Sequence, residues 1–102
     1  MVTTANREDA EKIAQSLIKD RLIACANIIG PVSSLFRWAG KVEKVKERLL
    51  LMKSRSDLFR KLSRTVKALH SYDLPEIIIL PIVQGSKQYL KWLDDNLKPI
   101  DE

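Results

Sequence analysis

The sequence predicts an α+β fold in which helices cover one face of an antiparallel sheet. Three observations carry this: two long β-prone stretches meeting at a short turn, two amphipathic helical stripes, and the order β-α-β-β-α-β followed by one more helix. That order is the ferredoxin-like split βαβ arrangement, and right-handed crossovers place both helices on the same side of the sheet. At 102 residues the chain suits a single domain over 1–102.

Residues 1–5 supply a short first strand. After Asn6, the residues Ala10, Ile13, Ala14, Leu17 and Ile18 recur at helical spacing, with Asn6 as N-cap and Glu8 and Asp9 in a first turn that favours anions. This helix should run to about Arg21. Residues 22–29 form an apolar run too short for a second amphipathic helix, and after Gly30-Pro31 the β-prone character resumes over 32–38. The two pieces predict one long strand with a bend or bulge. Ala39-Gly40 turns the chain into a second long strand over 41–53, which completes a hairpin. Ser54 and Asp57 fit a capping-box-like start for a second helix whose stripe is Phe59, Leu62, Val66 and Leu69. It should end near His70-Ser71-Tyr72, before Pro75. Residues 76–83 predict a fourth strand, and Gln84-Gly85-Ser86 leads into a helix carrying Tyr89, Leu90, Trp92, Leu93 and Leu97.

A sheet with one face in water should alternate apolar and polar residues. These strands do not: Ile77 to Leu80, Leu49 to Met52, and the run around Cys25 are apolar on both faces. No second helical layer is present to cover the open side. Leaving about ten aliphatic side chains in water would forgo about 1.5–3 kcal/mol each. The terminal helix is too short to cover them, so a second copy of the same sheet is the expected cover.

Composition narrows function further. The lone Cys25 cannot form an internal disulfide, reads as a small buried hydrophobe, and agrees with a reducing, cytoplasmic setting. The lone His70 excludes a multi-histidine metal cage within one chain. No apolar window is long enough for a membrane span, and residues 1–6 lack signal-peptide character. The net charge of +5 is spread along the chain and mixed with acids, which argues against nucleic acid. No Gly-rich phosphate loop or nucleophile elbow occurs, so an enzyme is not expected.

Five ordered blocks resemble the CutA divalent-cation tolerance family: Asp20-Arg21-Leu22-Ile23-Ala24-Cys25-Ala26-Asn27, Leu35-Phe36-Arg37-Trp38-Ala39-Gly40-Lys41-Val42-Glu43, Leu51-Met52-Lys53-Ser54, Leu69-His70-Ser71-Tyr72-Asp73-Leu74-Pro75-Glu76, and Tyr89-Leu90-Lys91-Trp92-Leu93. The resemblance covers nearly the whole chain. It implies a homotrimer whose long hairpins pair between subunits, and a PII-like binding or regulatory role associated with copper and other divalent metals. Two departures stand out. Only Met1 and Val2 precede Thr3, which leaves a native start upstream open, and Ser71 replaces the family's usual proline. The copper ligands of some members, a first-strand cysteine and a histidine pair, correspond here to Val2, Leu69 and His70, so only the histidine remains. A Cu(II) site would need His70 with Glu76 or a neighbouring subunit; otherwise no cofactor is required.

Lys53, Tyr72, Glu76 and Trp92 fall at strand ends, a turn and the last helix, which an oligomer could gather into a cleft for a small ligand or partner protein. Trp38 is the expected interface anchor. The alternatives are an acylphosphatase-like hydrolase using Arg7 or an RNA-binding module on the same fold.

Overall fold

The computed structural model describes residues 1–100; positions 101 and 102 of the expected domain lie outside the described residues. Strand β1 (Val2–Thr4) is followed by helix α1 (Arg7–Lys19), strands β2 (Cys25–Trp38) and β3 (Lys41–Lys53), and helices α2 (Phe59–Leu69) and α3 (Lys87–Asp95). The three strands form an antiparallel sheet in the order β1-β3-β2.

Leu50 on β3 stands opposite both Val2 and Ile28, so these three share one face. Val2, Leu50, Ile13, Leu17 and Val66 are fully buried there beneath α1 and α2, and Ile28 packs against them. The alternate residues Leu49, Leu51 and Ile29 point to the other face, where Ile29 is exposed. The expectation of strands apolar on both sides therefore holds.

Helix α1 starts as its sequence directs, with the Asn6 side chain accepting from the Asp9 N–H at 2.8 Å. It ends two residues before Arg21, in a Schellman arrangement. The Leu22 N–H reaches the Leu17 carbonyl and the Arg21 N–H reaches that of Ile18, while Arg21 takes φ 58. Leu22 and Leu17 are both buried, which supplies the apolar contact of that motif. The expected bulge in β2 lies between Ile29 and Val32, at the Gly30-Pro31 cis peptide bond. The hairpin turn has φ 51 at Ala39 and φ 79 at Gly40, the signs of a type I′ turn.

Two expectations need correction. Ser54 does not cap α2: its hydroxyl donates to the Leu22 carbonyl at 2.6 Å, and a 3-10 turn over Ser56–Leu58 precedes the helix. The fourth strand does not form either. Ile77 bridges Val2, and Ile78 exchanges hydrogen bonds with Met1, its N–H reaching the Met1 carbonyl at 3.1 Å. Among the described residues no further bridge extends this pairing along 79–83. The β-prone composition of 76–83 is real, but a strand also needs backbone to pair with.

Candidate functional site

The sequence-expected site residues divide between two places. At one end of the sheet, Cys25 stands directly opposite Lys53, and Asn27 lies on the same face two residues along. The Lys53 ammonium donates to the Asn27 side-chain carbonyl. The Cys25 thiol lies 3.6 Å from the Tyr89 hydroxyl, in hydrogen-bond contact. This contact holds the Tyr89 phenol above its ordinary pKa, with a smaller contribution from burial. Tyr89 stacks on Trp92, ring centres 5.7 Å apart and planes 27° apart, with nearly half of each residue exposed. Thiol, amide, ammonium and an aromatic pair thus gather where β2, β3 and α3 meet. Beside them runs an apolar cleft of about 770 Å³, walled by Leu51, Lys53, Ile78, Leu80, Leu90 and Leu93.

Polar latches hold α3 in this position. Arg55 donates to Asp57 and to Asp94, each at 2.7 Å, and to the Lys98 carbonyl at 2.6 Å. These carboxylates raise the guanidinium's already high proton affinity, while Arg55 lowers the pKa of Asp57.

The second place is the turn after α2. His70 donates from Nε2 to the Thr3 carbonyl at 2.7 Å, and its Nδ1 accepts from the Tyr72 N–H at 3.0 Å. Both ring nitrogens are therefore engaged within the chain, and the imidazole is fixed in the Nε2–H tautomer. The Tyr72 hydroxyl donates to Glu47 at 2.8 Å. Glu47 is only 5% exposed. Burial first, then the Glu47 carboxylate, push the Tyr72 phenol up to about 12.

Within one chain, then, Lys53 and Trp92 belong to the first cluster and Tyr72 to the second. Glu76 is exposed near the α-amino group of Met1, whose proton affinity burial lowers and Glu76 partly restores. The pairing of His70 with Glu76 is not present, and no group of three potential metal-binding side chains occurs among the described residues. The described donors of one subunit therefore do not by themselves gather into a copper site. Trp38, at the hairpin tip, is 55% exposed, beside exposed Leu35, Phe36 and Val42. Arg7, the arginine a hydrolase would need, bonds Glu11 on the outside of α1 at 3.0 Å.

Four polar participants escape the sequence reading. Cys25 is half-buried with a polar partner, rather than a buried hydrophobe. Asn27 interrupts an apolar run, and that interruption is a visible signal. Tyr89 reads from its spacing as part of the apolar face of its helix. Glu47 sits in a run of alternating charges that looks solvated, and only the loop carrying Tyr72 reveals its burial.

Comparison with known proteins gives a consistent picture. A family model described as CutA1 divalent ion tolerance protein matches residues 1–96. The divalent-cation tolerance protein CutA of Thermus thermophilus is 45% identical over 96 residues, which cover 94% of this chain and 93% of that one. The chloroplastic CutA of Arabidopsis thaliana is 43% identical over 97 residues, but the match covers only 53% of that protein, so the chain spans about half its length. Among solved structures, the divalent cation tolerance protein of Thermus thermophilus superposes with TM-score 0.93 at 44% identity, covering 95% of this chain and 94% of that one. A protein titled the periplasmic divalent cation tolerance protein CutA, from Archaeoglobus fulgidus, superposes with TM-score 0.92 at 40% identity, covering 95% and 94%.

Proposed function

The chain belongs to the CutA1 divalent ion tolerance family, and from that membership we propose that it works as a homotrimeric, PII-like binding protein. In this reading it has no chemistry of its own and binds a ligand, a metal ion or a partner protein at clefts between subunits. The observation that carries the proposal is the uncovered apolar chain from Ile78 to Val83, where Val83 is 85% exposed. Beyond Ile78, whose backbone pairs with Met1, no backbone partner is found for residues 79–83 among the described residues, which suits strand addition by another copy, and the exposed hairpin tip is a second apolar surface awaiting cover. A neighbouring subunit would also supply what one chain lacks, a second wall for the cluster of Lys53 and Trp92. Tyr72 and Glu76 would join that cluster only across a subunit boundary.

The proposed link to copper or another divalent ion rests on the family, because no group of three potential metal-binding side chains occurs among the described residues of one subunit. An ion held between subunits would draw on Glu76, or on His70 after release of the Tyr72 N–H. The test is light scattering combined with Cu(II) titration by calorimetry. We expect a mass of three chains and copper binding that weakens in His70→Ala. A single-chain mass would overturn the assembly, and identical titrations of the two proteins would remove His70 from the copper site.

A further inference from the structure

Helix α2 carries a charged surface on the helix layer, the side of the sheet opposite the open apolar face. Its sequence, Phe59-Arg60-Lys61-Leu62-Ser63-Arg64-Thr65-Val66-Lys67-Ala68-Leu69, contains four cations and no acid. Leu62 and Val66 are buried, which fixes the rotation of the helix about its axis. At 100° per residue, Arg60, Arg64 and Lys67 then fall in one stripe on the side away from the core, at i, i+4 and i+7. All three are exposed, and no ion pair holds any of them among the described residues.

The neighbouring helix is different. The outer side of α1 mixes Glu8 and Glu11 with Lys12 and Lys19, and Arg7 is tied to Glu11. The uniformly positive strip is therefore about one helix wide and two turns long, with a surface of mixed charge on the α1 side. That shape decides among anionic partners. A membrane surface would spread over the near-neutral outer side of α1, where Glu8 and Glu11 offset Lys12 and Lys19, and so gain little beyond the α2 strip. Single-stranded nucleic acid calls for aromatic side chains beside the charge, and the α2 stripe has none. A narrow acidic rod satisfies both constraints: carboxylates at i, i+4 and i+7 of a helix repeat at the spacing of Arg60, Arg64 and Lys67.

We propose that the outer face of α2 is a docking surface for an acidic helical segment of a partner protein. It lies on the helix layer, away from the open sheet face and the Lys53 cluster, so occupancy there leaves those surfaces free. Arg60 and Arg64 add forked donors to the carboxylate contacts.

The test uses the whole protein and a fluorescein-labelled peptide with glutamates at that helical spacing, followed by fluorescence anisotropy across a salt series. Polyuridine RNA and phosphatidylglycerol vesicles serve as competitors. Reversal of the stripe in Arg60→Glu/Arg64→Glu/Lys67→Glu should weaken peptide binding about tenfold or more. The control Lys12→Glu/Lys19→Glu/Lys87→Glu makes the same change in net charge at exposed positions elsewhere, and should weaken binding far less. Circular dichroism checks that both variants are folded; if the reversal variant is not, the neutral Arg60→Gln/Arg64→Gln/Lys67→Gln replaces it. Equal losses in stripe and control variants would overturn the proposal, as would RNA or vesicles displacing the peptide at lower anionic charge. Because the readout is peptide affinity, its failure leaves the trimer and copper measurements untouched.

Discussion

Tyr72 and Glu47 form the most consequential polar contact at the level of single residues. A carboxylate this deeply buried is stable only while hydrogen-bonded, and the phenol is a donor to it. Tyr72→Phe should therefore cost about 1–3 kcal/mol in urea unfolding, because a buried acceptor loses its partner. Adding Glu47→Gln, which removes the buried charge, should recover part of that loss. The same contact makes stability depend on pH at the alkaline end. The folded protein holds the phenol proton more tightly than the unfolded chain, whose tyrosine titrates near 10.0. Tyr72 thus leaves stability unchanged below about pH 10 and lowers it as pH climbs towards 12. Thermal melts across that range should fall less steeply for Tyr72→Phe than for the parent; parallel curves would contradict this. Sequence spacing alone could not reveal such contacts. Lys53 and Trp92 stand out by residue type and position, but the meeting of Lys53 with Asn27, and of Cys25 with Tyr89, depends on strand register and on where α3 lands.

Among the elements, the hairpin is the most legible because turn-forming residues mark its bulge and its tip. Gly30-Pro31 falls at the bulge and Ala39-Gly40 at the turn. The fourth strand misleads for the complementary reason: β propensity is written in 76–83, but the backbone it would pair with is not, and a single bridge from Ile77 to Val2 forms. Two substitutions test how tightly the hairpin's backbone is specified. Ala39 adopts a left-handed conformation that alanine tolerates poorly, so Ala39→Asn, giving the favoured Asn-Gly pair, should stabilise the protein by about 0.5–1 kcal/mol. Gly30→Ala should act in the opposite direction. A Cβ there would lie 2.5 Å from the Arg48 Cδ and 3.1 Å from the Glu47 carbonyl oxygen, at φ 154. The arginine can swing aside but the carbonyl and the backbone conformation cannot, so a loss of about 1–3 kcal/mol is expected. Denaturant midpoints for the two variants should move to opposite sides of the parent.

For the molecule as a whole, the sheet divides the protein into a closed side and an open one. The closed side holds a core that a single chain completes: Ile13, Leu17, Leu50 and Val66 have no exposed surface. The open side ends in the exposed apolar run from Ile79 to Val83 and in the apolar hairpin tip. Leu80→Lys/Val83→Lys should leave the core's circular dichroism intact while lowering the mass seen by light scattering; an unchanged mass would mean that this run is not the contact between copies. The uncovered run also links stability to abundance. If other copies cover it, association stabilises the folded chain by mass action, and the melting temperature should rise with protein concentration. In the Leu80→Lys/Val83→Lys protein it should stay flat. Dilution would then act on this fold much as a denaturant does, and the quantity describing its resistance at low copy number is a dissociation constant.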